Sequence, residues 1–238
     1  MASTDITAPT SGTYLALNHS TEEIAEILQE NLAGQDVGEF DLPRVKIPAG
    51  GGRTWEIPSL EGVESTQELD GIVVAFKRTR AYWPDDADGG SPPACRSADA
   101  LVGVGSPGGD CRSCPMAQYG SHENGRGQAC AEKEVWFILR PNSFLPVVLS
   151  LPGTSLKNAK GYRLALASEA KRLAAVTTTI GLEALKNPAG DPYSRAVPKL
   201  GAVLDPETAE ATKAYAKLLR PVFDRAAAAE TNGSTDAE

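Results

Sequence analysis

The residues whose type and spacing most directly suggest chemistry are four cysteines, arranged as Cys95-x15-Cys111-x2-Cys114-x15-Cys130. A CxxC turn offers two thiolates to one ion at little backbone cost, and a tetrahedral Zn²⁺ takes four such soft ligands. Single cysteines at equal distances on either side can complete the set. The intervening chain is too polar and glycine-rich to fold on an apolar core of its own, so a bound metal would supply the missing folding energy. Two other readings compete, a redox pair and a set of buried free thiols. A redox CxxC opens a helix after a buried strand, whereas Cys114 precedes Pro115 and a glycine-rich stretch. Thiols meant for apolar packing would not cluster in the most polar part of the chain. His122 is an alternative ligand, although beside Glu123 it reads better as a solvated side chain. With no fifth ligand in the pattern, the spacing points to a closed, structural zinc site.

Catalytic patterns are sparse. The only histidines are His19 and His122, and there is no HExxH, GxSxG or GxxxxGK[ST]. Asp85-Asp86 and Glu22-Glu23 fall in polar loops or at helix starts, where carboxylates are solvated. The run Gly103-Val104-Gly105-Ser106-Pro107-Gly108 matches GxGxxG, but Pro107 and Cys111 exclude the helix that would receive a pyrophosphate. The chain therefore reads as a non-enzyme that needs no nucleotide cofactor.

A binding surface is easier to find. Lys77, Arg78, Arg80, Tyr82 and Trp83 follow directly on the apolar half of a strand over Gly71–Trp83. By strand parity Arg78, Arg80 and Tyr82 share one face, and Lys77, Thr79 and Trp83 the other. Cations for phosphates and flat rings for bases are what a single-strand binder requires. Trp136 and Arg140 repeat the mixture on a later strand, where Trp136 and Phe137 taken singly also suit a core. From Val135 to Arg172 six bases, among them Lys157, Lys160 and Arg163, face one acid, Glu169. The cluster as a whole reads as a nucleic-acid surface.

The elements that must position these groups follow from period and punctuation. Ser20-Thr21-Glu22-Glu23 caps a short amphipathic helix ending near Gly34. Arg44–Ile47 and Arg53–Ile57 are short strands around Gly50-Gly51-Gly52. Glu134–Arg140 and Pro146–Leu151 form a hairpin across Pro141-Asn142-Ser143. Thr154 or Ser155 caps a helix over roughly 156–170, and Ala174–Leu182 is a further strand. Asp205-Pro206-Glu207 starts a helix that runs to Ala229. Residues 1–20 and 230–238 read as disordered ends.

Charge adds a pattern that the net value of −8 conceals. Met1–Asp41 holds eight acids and no Lys or Arg, and Ala226–Glu238 holds three acids and no base. Between Arg44 and Arg225 lie all 23 bases against 20 acids, so acidic ends bracket a mildly basic body. Such ends keep a chain soluble, compete with a polyanion for a basic groove, or recruit a basic partner. The longest apolar run, Ile72–Phe76, is far short of a membrane span, and the N-terminus lacks the basic and apolar regions of a secretory signal. A cytoplasmic setting is expected.

Six strings also resemble a known family: GGGRTWEIP (50–58), AYWPD (81–85), PPACRSAD (92–99), CRSCPMAQYGS (111–121), GQAC (127–130) and LPGTSLKNAKGY (151–162). They are similar to phage and prophage proteins associated with single-stranded-DNA binding on an OB-like barrel that bears a four-Cys element. The resemblance covers roughly residues 40–225, and its specific parts are the cysteine segment and the LPGTSLKNAKGY string. It implies that Cys95, Cys111, Cys114 and Cys130 together bind the metal, and it implies a phage-infected or prophage-bearing bacterial cell. The fold expected is mainly β with flanking helices (α+β), a five- or six-stranded OB-like antiparallel barrel over 41–204 with a zinc-held insertion at 84–133. An acidic segment (1–40) with a short helix precedes it, and a helix (205–229) and acidic tail (230–238) follow. The function expected is sequence-tolerant binding of single-stranded DNA in phage replication or recombination. Replication or recombination proteins are possible partners through the acidic ends. The alternative is a zinc-containing protein-interaction module that binds a replication or transcription protein.

Overall fold

The β-branched and aromatic runs condense into one open, mixed sheet of nine strands, beside a separate two-stranded hairpin. The computed structural model describes residues 14–232 apart from Gly89 and Asn124. In spatial order the sheet runs β1 (Arg44–Val45), β9 (Val147–Leu151), β8 (Cys130–Leu139), β4 (Leu69–Tyr82), β5 (Cys95–Ser97), β6 (Val102–Gly105) and β7 (Gly109–Asp110). A long hairpin of β10 (Val176–Lys186) and β11 (Pro192–Val203) joins it through the start of β4. The separate hairpin is β2 (Trp55–Ser59) with β3 (Gly62–Thr66). The mixed α+β, mainly sheet class is as expected, but the described strands do not close into a barrel. Closure needs the two edge strands to meet. Here β5, β6 and β7 of the cysteine segment prolong one flank of β4, and β10 leaves after pairing only with Leu69–Gly71.

β4 changes character along its length. Its register on β8 slips between Val73 and Ala75, a bulge that adds one residue and bends the strand. Gly71–Val74 are buried; beyond the bulge, exposure alternates as the sheet outruns its covering helices. On one face Ile72, Val74, Phe137 and Leu139 pack against Ile24 of α1 (Thr21–Asn31), Tyr215 of α3 (Pro206–Leu218) and Phe223 of α4 (Arg220–Ala229). The Phe137 and Phe223 rings stack with centroids 4.4 Å apart. On the other face Val73, Trp136, Ile138 and Leu149 meet Trp55, Ile57, Ile180, Ala196 and Ala159 of α2 (Gly153–Ser168). Glu134–Leu139 of β8 are buried on both faces, which is why the strand reads as a continuous apolar run.

Local signals were followed where they were self-contained. The Ser20 hydroxyl accepts from the Glu23 amide at 3.2 Å, and Glu23 returns the bond to the Ser20 amide at 2.7 Å. Asp205 accepts from the Thr208 amide at 2.9 Å. The C-terminal helix is instead two, because Pro221 cannot donate in a helix interior and the chain breaks at Leu219. α2 starts at Gly153 with Pro152 as its cap residue, and neither Thr154 nor Ser155 caps it. Ser155 is buried and accepts from the Ala196 amide at 3.1 Å, tying α2 to β11. The glycine turn at 50–52 joins strands that do not pair with each other, since β1 pairs with β9 and β2 with β3.

The expected disorder does not extend to residues 14–20 or 230–232. Tyr14, Ala16 and Leu17 are buried in the core. Glu230 accepts from Arg44 Nε at 2.9 Å and from the Ser150 hydroxyl at 2.8 Å. The remaining parts of those ends, 1–13 and 233–238, lie outside the described residues. No described helix is long and apolar enough to cross a membrane.

Candidate nucleic-acid interface and cysteine pocket

The cysteines come together because the insertion folds back on β4. Cys95 opens β5 and Cys130 opens β8, and both stand opposite Tyr82 on the two sides of β4. Cys111 follows β7, and its amide donates to the Leu101 carbonyl at 2.8 Å. Cys114 precedes a single 3-10 turn over Pro115–Ala117, not the helix of a redox motif. All four are free thiols, three of them buried, and all four line one small pocket with Tyr82 and Met116. His122 is not among the residues lining that pocket. The described His, Cys, Asp and Glu side chains contain no group of three or more already standing as a metal cage. The donor set nevertheless suits a soft divalent ion, with four thiols facing one small space. Burial pushes the Cys130 thiol up, against the pull of Arg80 and with the aid of Cys95 and Cys111.

The glycines of the insertion serve this pocket. A Cβ on Gly103 would lie 2.9 Å from Cys95 Sγ, so glycine lets β6 pass beside that thiol without displacing it. Gly108 and Gly109 adopt φ of +71° and +79° to turn β6 into β7. The GxGxxG match is therefore a turn beside a thiol and leads into no helix. Asp99 fixes the approach: its Oδ1 accepts from the Leu101 and Val102 amides at 2.8 and 3.1 Å, and these bonds hold its carboxyl below the usual range.

The ten basic and aromatic candidates divide into distinct groups. Arg78, Arg80 and Tyr82 share the face of β4 that also carries Phe76, as parity beyond the bulge requires. Both arginines bond to Glu132 of β8, Arg78 Nε at 2.7 Å. Arg78 stays half exposed while Arg80 is mostly covered. Arg163 of α2 joins the same face. Its guanidinium lies 4.4 Å above the Phe76 ring and bonds to both oxygens of Glu134, one at 2.8 Å. Lys157 and Lys160 stand exposed on α2, about two turns and one turn before it.

Four candidates fall away from that face or have another task. Trp136 is fully buried, its Nε1 donating to Glu134 Oε2 at 3.0 Å, so it is core and cannot stack on a base. Arg140 lies just past the far end of β8, paired with Glu64 of β3 at 3.0 and 3.2 Å. Lys77 points to the helix-covered face and pairs with Asp224 of α4 at 2.5 Å. Trp83 is half buried and donates from Nε1 to the Ser91 carbonyl at 3.0 Å, holding the start of the insertion. Sequence reasoning missed Glu132 and Glu134, the carboxylates that organise the arginines, and Phe76, the ring beneath Arg163. The register that brings these glutamates there, Arg78 opposite Glu134 and Arg80 opposite Glu132, is set by the fold and leaves no local signal in the sequence.

No family model, curated protein or solved structure matches the chain.

Proposed function

We propose that the protein binds single-stranded DNA without catalysis, on the face formed by Phe76, Arg78, Arg80 and Tyr82 of β4 and the lysines of α2. The observation that carries the reading is that Arg163 of α2 sits over Phe76, so the helix that carries exposed Lys157 and Lys160 packs on the same face of β4 as the arginine row. Phosphates would take the cations, and Phe76 and Tyr82 offer partly exposed rings for bases. Two arginines share the single carboxylate of Glu132, so the row keeps a surplus of positive charge and of N–H donors. In this reading the four cysteines hold a structural Zn²⁺ that fixes the far end of β4, and the fold is a relative of the OB architecture opened by its insertion. The resemblance of the cysteine and α2 strings supports a role in phage replication or recombination in the cytoplasm of a bacterial host, with partner proteins engaging the acidic ends.

The deciding experiment is an anisotropy titration with single-stranded and duplex oligonucleotides of equal length. Tighter binding of the single strand, with affinity falling steeply as salt rises, is the expected result, because phosphate contacts release counterions. Equal affinity for duplex, or binding indifferent to salt, would overturn the reading. Lys157→Ala and Lys160→Ala should each lower the salt slope by about one without moving the melting temperature. Tyr82→Ala should weaken binding by about 1–3 kcal/mol, the range for lost base–aromatic stacking.

A second reading, a protein-interaction module, draws on the exposed apolar side chains of the insertion. Leu101, Val102, Val104 and Tyr119 are 48–80% exposed. A protein that ignores single strands but is captured through this patch would favour it.

A further inference from the structure

The middle of β4 has a backbone edge that no described strand occupies. Toward β8 the strand is paired from Ile72 to Tyr82. On its other side β10 reaches only Leu69–Gly71 and β5 only Arg80–Tyr82. Among the described residues, no backbone group of residues 72–79 makes a hydrogen bond outside the sheet ladder. An antiparallel strand directs alternate residues' N–H and C=O groups to alternate sides, so about half of those groups face this gap. The turn Leu173–Ala175 packs against β4 beside this gap without hydrogen bonding to it. A solvent-open cleft of about 360 Å³ runs along Val73–Lys77, walled by Leu173, Ala174, Ala216 and Phe223. Arg220 of α4 stands exposed at its mouth, and Arg78 lies half exposed on the opposite face of the strand.

An exposed ladder edge beside an apolar cleft is the geometry by which a sheet accepts an additional strand from another chain. A strand laid there would send alternate side chains to the two faces of the sheet. One set would enter the cleft against Leu173, Ala174 and Phe223; the other would lie beside Phe76 and Arg78. On the cleft face Arg220 stands beside the Lys77–Asp224 pair, and on the other Arg78 and Arg80 share Glu132, so each face keeps a cation in excess, which favours acidic side chains and opposes basic ones. We propose that the edge of β4 between β10 and β5 is a docking site for an extended peptide segment of a partner protein in which apolar and acidic residues alternate. The proposal does not depend on the nucleic-acid reading.

The test uses the full chain and a labelled peptide of alternating valine and glutamate. Saturable binding is expected, with slowed hydrogen exchange at the amides of residues 73–79. N-methylation of alternate peptide amides should weaken binding about tenfold or more, because strand addition depends on those donors. Arg220→Glu should weaken the glutamate peptide and spare an alternating valine–serine peptide, with an unchanged melting curve as the folding control. No saturable binding, indifference to N-methylation, or protection confined to another part of the chain would each overturn the proposal. Protection of 73–79 by single-stranded DNA and not by the peptide would assign the edge to nucleic acid. Concentration-dependent protection without peptide would assign it to a second copy. Either of these outcomes also overturns it.

Discussion

One zinc per chain should accompany the purified protein, and serine at Cys111 or Cys114 should remove it. Structural zinc contributes about 10–16 kcal/mol of apparent binding energy in small metal-dependent folds. Between Cys95 and Cys130 little else is available to hold the chain. β7 has two residues, β5 three, and the apolar side chains of β6 point to solvent. The main sheet has its own two-sided core, so the loss should be local. Hydrogen exchange should accelerate across residues 95–130 while Trp136 and the buried hairpin around it stay protected. Elemental analysis of reduced, chelator-free protein is the direct check, and a metal-free sample with an ordered insertion would sink the assignment.

Arg163→Ala should destabilise the fold by about 3–5 kcal/mol, the cost of leaving a buried carboxylate without its cation. Glu134 is 3% exposed, and its oxygens accept only from Arg163 and from Trp136 Nε1 among the described side chains. For a chain of this length the melting temperature should fall by roughly 6–20 °C. The double variant Glu134→Leu with Arg163→Met should be far milder, since replacing both members of a buried pair by apolar groups is often nearly neutral. If Arg163→Ala melts normally and loses only affinity for a single strand, the guanidinium serves the ligand and not the fold.

What the sequence made legible was what one segment decides alone. The strand through Ile72–Tyr82, the β8–β9 hairpin, the Ser20 capping box and the Asp205 cap each carry their signal within a few residues. β11 carries no such local signal, since Pro192, Pro198 and Gly201 argue against a strand. In the fold Pro198 nevertheless stands opposite Ile180 within a ladder running the length of β10. The site candidates failed for a different reason. Lys77, Arg140 and Trp136 are cations and a ring like the others, but Lys77 and Arg140 are claimed by Asp224 and Glu64, both remote in sequence, and Trp136 by burial between the sheet and its covering elements. Strand parity identified the shared face of Arg78, Arg80 and Tyr82. It could not identify the opposing glutamates, because the long cysteine segment hides the register of β4 on β8.

The bulge at Val73–Ala75 constrains how this chain can vary. It fixes the phase of everything that follows on β4, so the number of residues from Ala75 to Tyr82 acts as a parity lock. Losing or gaining one residue there would turn Arg78 and Arg80 beneath α4 and bring Lys77 and Thr79 to the open face. The same slip would turn Tyr82 away from Cys95 and Cys130. Length changes in this stretch can therefore survive only in pairs, whereas the cysteine segment, joined to the sheet by short ladders, can absorb them singly.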